Sequence, residues 1–237
     1  MKQIAYITDI HLDDSFPLEN GAQPRKNWEK IIRDIRSRNI QDIILGGDMG
    51  EPSSHEWFFN SLQGFNVDMS LGNHDVFTEI MKHCPRDTAG EGELYYTFEN
   101  GAFKYIFLDS SSATISVAQM EWLQQQLSTN KAILLFIHHP VIPIRTAIDD
   151  VYPLHNREQV RQALQNISNK VTIFCGHYHV TDETSVANIT QLETPAASIQ
   201  LAKDAPTIQL DNSFFGYRLI NVHENKIDTE LVTMPNR

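Results

Sequence analysis

The stretch Ile4-Ala5-Tyr6-Ile7-Thr8-Asp9-Ile10-His11 sets a run of apolar residues directly against an aspartate and, two positions on, a histidine. Consecutive apolar positions with no helical period are the mark of a short strand buried on both faces. The arrangement recurs. Asp42 to Leu45 runs into Gly46-Gly47-Asp48, Val67 to Leu71 into Gly72-Asn73-His74-Asp75, and Tyr105 to Leu108 into Asp109-Ser110-Ser111-Ser112. Ala132 to Ile137 runs into His138-His139-Pro140, and Val171 to Cys175 into Gly176-His177-Tyr178-His179. Each of these six expected strands therefore ends in side chains that can bind a proton or a cation.

Between these strands lie helical patterns: Pro24 to Arg38, with Trp28, Ile31, Ile32 and Ile35 on one face, then Val117 to Leu127 and Arg157 to Ile167. Alternating strands and helices imply a layered α/β fold. After Cys175 the helical period is lost. The segments Val180 to Val186, Ile189 to Glu193, Phe214 to Val222 and Lys226 to Val232 read as a second, mainly antiparallel sheet. No repeat, low-complexity tract or linker interrupts the chain, so a single domain over residues 1–237 is expected. The least apolar stretches, Cys84 to Glu93 and Pro140 to Pro153, are expected to be loops over a site.

Composition narrows the function. A chain of 237 residues buries roughly 70–75% of its surface on folding, so no disulfide or metal is needed merely to hold it together. With 19 Lys and Arg against 30 Asp and Glu, the net charge is −11 and there is no basic run, which argues against binding duplex nucleic acid. A small anionic substrate would need a local positive centre, and in an acidic chain a bound cation provides one. The two cysteines, Cys84 and Cys175, have no Cys-x-x-Cys spacing and are expected to be reduced and buried. The apolar run at the N-terminus is too short for a signal peptide, and no stretch is long enough to cross a membrane, so a cytoplasmic location is expected. Trp28, Trp57 and Trp122 are expected to pack helices, and His55, His83, His155 and His223 to lie at the surface.

In an open α/β sheet the ligand site lies beyond the carboxyl ends of the strands. Six of the ten histidines, His11, His74, His138, His139, His177 and His179, fall there. Each motif alone has an ordinary reading: a helix cap, a tight Gly-Asp turn or a satisfied core histidine. The ordered set is specific.

Asp-x-His at 9–11, Gly-Asp at 47–48, Gly-Asn-His-Asp at 72–75, His-x-Pro at 138–140 and Gly-His-x-His at 176–179 together resemble the calcineurin-like metallophosphoesterase superfamily, from Asp9 to His179. The resemblance implies a four-layer α/β/β/α sandwich, two central sheets flanked by helices, with two metal ions at the strand ends. It implies that Asp9, His11 and His179 hold one ion, that Asn73, His138 and His177 hold the other, and that Asp48 bridges them, with His139 left outside. Such mixed nitrogen and oxygen donors suit manganese, iron or zinc. Two cations roughly 3.5–4 Å apart lower the pKa of a shared water, so that hydroxide can attack the phosphorus while the ions bind the phosphate oxygens. His74 would then protonate or stabilise the leaving oxygen, with Asp75 orienting its ring.

Within the superfamily, Phe136 to Val141 and Asp150-x-x-x-Leu154-x-Asn156 are similar to class III cyclic nucleotide phosphodiesterases and glycerophosphodiesterases. That similarity implies a small phosphodiester substrate, a cyclic nucleotide or a similar molecule, with Asp109 to Ser112 and Asn156 as further pocket candidates. Relatives are often dimers, which makes a homodimer an expected assembly. Two alternatives stay open, a phosphomonoesterase or phosphoprotein phosphatase and a non-catalytic scaffold. Glu51 stands where a second aspartate is usual and replaces the tyrosine of purple acid phosphatases, while Val141 replaces a frequent second proline.

Overall fold

The computed structural model describes residues 2–236, and it is built around two mixed sheets. In the first, β1 (Lys2–Ile7), β2 (Asp42–Leu45) and β3 (Asn66–Met69) run parallel. The last two strands, β12 (Phe214–Val222) and β13 (Ile227–Pro235), extend that sheet antiparallel beyond β1, with Ile4 opposite Ile220. The second sheet has the order β4-β5-β6-β7-β9-β8. Its strands are β4 (Tyr96–Asn100), β5 (Phe103–Phe107), β6 (Ala132–Phe136), β7 (Val171–Cys175), β8 (Asp182–Val186) and β9 (Ile189–Glu193). A small hairpin, β10 (Gln200–Leu201) with β11 (Leu210–Asp211), stands apart.

The segments after Cys175 therefore do not form a sheet of their own, as the sequence suggested. β8 and β9 complete the second sheet, with β9 parallel to β7, while β12 and β13 complete the first. An apolar period marks a strand but carries no information about its partner. The β1–β12 pairing, Lys2 opposite Val222, joins opposite ends of the chain.

The two sheets pack face to face through an aromatic layer. Tyr6 on β1 sits 5.7 Å from the ring of Phe136 and 5.8 Å from that of Phe174, and Phe136 also stacks on Phe107 at 4.9 Å. Alternation along the strands sorts the rest. In the second sheet Tyr105, Phe107, Leu134, Phe136 and Phe174 turn inward, whereas Ile106, Ile133, Leu135 and Ile173 turn outward to Leu123 of α5 (Val117–Gln126) and Val160 and Leu164 of α7 (Arg157–Gln165). On the other side α2 (Pro24–Ser37) buries Trp28, Ile31 and Ile35, with the Trp28 ring tilted against that of Phe58 of α3 (His55–Ser61) at 4.7 Å. The helix starts on a proline at its first turn and stops before Asn39, which takes a left-handed φ of 59°. Helices thus cover both outer faces, giving the four expected layers.

Among the described residues no helix is long and apolar enough to cross a membrane. His55, expected at the surface, is buried, its Nε2 3.0 Å from the Gly50 carbonyl oxygen, and Cys84 is only half-buried.

Candidate metal centre

The parallel strands of both sheets end at one edge of the molecule, and the loops that leave them are zipped together. Asp9, Ile10 and His11 donate their amides to the carbonyls of Gly47 and Asp48 at 2.9–3.0 Å, and Gly176 donates to His138 O at 3.0 Å. Gly72 and Gly176 sit where loops press closest. A Cβ on Gly72 would strike the Asp48 carboxylate and amide, and one on Gly176 would strike Thr8 Oγ1 and the Asp9 carboxylate.

Nine described residues other than glycine have φ clearly in the left-handed region, and five of them are Asp9, His11, Asp48, His177 and His179. Such conformations cost of order 1 kcal/mol or more each and gather where function demands them. Here they turn five polar side chains toward one point.

Asp9 Oδ1 lies 3.3 Å from His179 Nε2 and 3.8 Å from His138 Nε2, and its carboxylate also accepts Thr8 Oγ1 at 2.8 Å and the His177 amide at 3.0 Å. Asp48 Oδ2 lies 3.2 Å from His138 Nε2 and 3.6 Å from His11 Nε2, while its Oδ1 accepts the His74 amide at 2.8 Å. The Nε2 atoms of His11 and His179 are 3.2 Å apart. Three groups are spaced to hold a cation: Asp9, His11 and His179; Asp48, His138 and His177; and His11, Asp14 and His74.

Every histidine of the first two groups has its second ring nitrogen occupied. Nδ1 of His138 donates to Gly46 O at 2.8 Å, Nδ1 of His179 to Ile199 O at 2.6 Å, and Nε2 of His177 to Tyr152 O at 2.9 Å. Nδ1 of His11 lies 2.6 Å from Asp14 Oδ2. These contacts fix each tautomer and leave the opposite nitrogen as a lone-pair donor facing the centre, the usual outer support of a metal-bound histidine. His138 Nε2 is buried with no hydrogen-bond partner. A buried nitrogen orphaned between two buried carboxylates is what a cation site requires, so the residues fit the metal that the motifs call for.

The electrostatics agree. Burial alone would drive His138 toward the neutral form, yet facing Asp48 and Asp9 raises its pKa to about 10. Burial would likewise raise Asp9 and Asp48, but His179 and His138 in one case and His138 and His11 in the other hold both well below the ordinary carboxylate range. The cluster is set up for positive charge at its middle. His177, half-buried and beside His138, is pushed down to about 4, which keeps it neutral and able to ligate.

The other residues singled out in the sequence fall in different places. Asn73 and His74 are exposed and line the cleft above the centre, as does Glu51. Asp75 does not orient the His74 ring; its carboxylate accepts three backbone amides, those of Asp48 (2.7 Å), Met49 (2.9 Å) and Gly72 (2.9 Å). His139 is buried with Nδ1 2.9 Å from Ser110 Oγ. Asp109 and Asn156 are spent on backbone groups of Leu94, Ser111 and Ile115, and neither they nor Ser110 to Ser112 line the cleft. Of the two expected loops, residues 140–153 contribute Ile148 and Tyr152 to its wall and residues 84–93 contribute nothing. Asp14 and the Tyr152 carbonyl were not anticipated. The i, i+3 spacing from His11 could have pointed to Asp14, but a backbone oxygen leaves no trace in a sequence.

Residues 2–181 match the calcineurin-like phosphoesterase family, so the chain belongs to that family. It is 27% identical, over 97% of its own length and 89% of the other's, to the 3′,5′-cyclic adenosine monophosphate phosphodiesterase CpdA of Haemophilus influenzae. A glycerophosphodiester phosphodiesterase, GpdQ of Enterobacter lignolyticus, is also 27% identical, over 67% of this chain and 63% of its own. In fold the chain is similar to a dimetal phosphatase from Danio rerio, with a TM-score of 0.72 at 13% identity over 100% of this chain and 99% of that one. With its family, this chain is a hydrolase of phosphoric esters.

Proposed function

We propose that this member of the calcineurin-like phosphoesterases is a dinuclear-metal-dependent phosphodiesterase acting on a small phosphodiester. In this reading Asp9, His11 and His179 hold one cation, Asn73, His138 and His177 the other, and Asp48 stands between them. The observation that carries it is the position of Asp48 Oδ2, within 3.6 Å of His11 Nε2 and 3.2 Å of His138 Nε2, so that one carboxylate oxygen faces both sets of donors. Bound there, two cations supply a water of lowered pKa and positive charge for the phosphate oxygens.

The chain's own groups do the rest. Asp14, Gly46 O, Tyr152 O and Ile199 O hold the histidines in the ligating tautomer. His74, its amide fixed to Asp48 Oδ1 and its side chain on the cleft wall, delivers a proton to the leaving oxygen. The cleft wall holds no lysine or arginine among the described residues. A monoester dianion would find no lysine or arginine for its second charge, which favours a diester, as do the names of the phosphodiesterase relatives. The aromatic layer shared by both sheets supports reading residues 1–237 as one domain.

The test is hydrolysis of 3′,5′-cyclic AMP, 2′,3′-cyclic AMP, glycerophosphodiesters, bis(p-nitrophenyl) phosphate and p-nitrophenyl phosphate after stripping metal and restoring Mn²⁺, Fe²⁺ or Zn²⁺. Metal-dependent turnover that favours diesters is expected. Preferential monoester turnover would replace the reading with a phosphomonoesterase, and no turnover with two ions bound would replace it with a binding role.

A further inference from the structure

The cleft above the centre, about 470 Å³, has a polar floor and a largely apolar wall, to which Ser15, Glu51, Asn73 and His74 add polar groups. The floor is the histidine and carboxylate cluster. The apolar part of the wall is Phe16 and Pro17 from α1 (Ser15–Glu19), Ile148 and Tyr152 at α6 (Ala147–Val151), and Leu201 and Ile208 at the β10–β11 hairpin. Phe16, Tyr152 and Ile208 leave 52%, 55% and 44% of their surface exposed. A single exposed apolar residue needs no explanation. Three from segments far apart in sequence, lining one cavity that ends on a cluster of ligating groups, form a continuous subsite.

Two of these walls are fastened to the floor. Phe16 lies two residues beyond Asp14, whose Oδ2 is 2.6 Å from His11 Nδ1. The carbonyl of Tyr152 accepts the His177 Nε2–H at 2.9 Å. The hydrogen bonds that orient two histidines of the centre therefore also set the height of two aromatic side chains above it.

We propose that Phe16, Tyr152 and Ile208 form the subsite for the organic substituent of the phosphodiester and select a flat aromatic ring over a short alkyl group. This rests on the phosphoester reading of the floor. Covering a ring removes apolar area from water on both sides, at roughly 25 cal/mol per Å².

The experiment compares dimethyl phosphate and methyl phenyl phosphate as inhibitors of bis(p-nitrophenyl) phosphate hydrolysis by the manganese-loaded enzyme. Both are monoanionic diesters and differ by one ring. Methyl phenyl phosphate is expected to bind on the order of tenfold more tightly. That ratio should fall several-fold in Phe16→Ala and in Ile208→Ala, and should survive Tyr152→Phe but not Tyr152→Ala. The three positions are exposed and lie on separate segments, so misfolding of one variant leaves the others to decide. Equal affinities in the wild type, or a ratio that none of the alanine variants lowers, would overturn the proposal. Absence of both hydrolysis and inhibition with metal bound would instead overturn the phosphoester reading beneath it.

Discussion

Asp75 Oδ2 accepts the backbone amide of Asp48 at 2.7 Å, tying two acids 27 residues apart into one unit. With Met49 and Gly72 also donating to it, the Asp75 carboxylate is the clasp of the loop that presents Asp48. Burial and the nearby Asp48 charge push its pKa up, against the amides that stabilise its anion.

Replacing Asp75 by Asn should therefore act through Asp48. The amide would turn a donor toward one of three backbone N–H groups, at a cost of about 1–3 kcal/mol of stability for the group left unpaired. Metal affinity should fall about 10- to 100-fold, the usual effect of removing outer support. Thermal unfolding and titration with Mn²⁺ check both. Full metal affinity with an altered pH profile of turnover would instead return Asp75 to a role on His74.

Asp14 gives a sharper test, because it touches one donor set. Asp14→Asn should loosen His11, so that one of two ions binds about 10- to 100-fold more weakly while the other is retained. Metal stoichiometry at limiting Mn²⁺ should drop from two toward one. Unchanged binding of both ions would make the 2.6 Å contact incidental.

His74 is exposed on the cleft wall and stands outside the two donor groups that contain Asp9 and Asp48, although it shares a third with His11 and Asp14, so His74→Ala should keep both ions. Turnover of a diester with a poor leaving group should fall by about 10²–10⁴, with a smaller loss for p-nitrophenyl leaving groups, which need little protonation. Equal losses on both substrates would remove the proton-donor role.

His55 predicts how stability changes with pH. Burial lowers its pKa in the folded protein, with the nearby His83 adding to this and the bond to Gly50 O opposing it. The unfolded chain therefore binds the proton first, and the stability contributed by neutral His55 is lost as pH falls below about 6.5. His55→Gln keeps a donor for Gly50 O and removes the titration. The stability of the wild type relative to this variant should decrease between pH 8 and pH 5 in urea titrations. A pH-independent difference would assign the acid sensitivity to other groups.

The strand-end motifs, the alternation of strand and helix and the family were legible in the sequence because each is local: an apolar run, a turn residue, a donor two positions later. Partnership was not. That β12 lies against β1 and β9 against β7 depends on which buried edges meet, and the apolar pattern of Phe214 to Val222 fits either sheet. His55 looked like a surface residue, and only its seat under Gly50 shows why it is buried.

The same division runs through the centre. The sequence by itself determined which residue types stand at the strand ends, since spacing along a chain is fixed by covalent geometry. Tertiary structure decided what they do: Asp75 faces Asp48 rather than His74, Asp14 holds His11, and Asn156 is spent on the Ile115 backbone. It also decided that apolar side chains from α1, α6 and the β10–β11 hairpin overhang the cluster. The reason is physical. A hydrogen bond or an apolar contact depends on distance in space, and the folded core, which brings residues up to 218 positions apart within 2.9 Å, sets that distance.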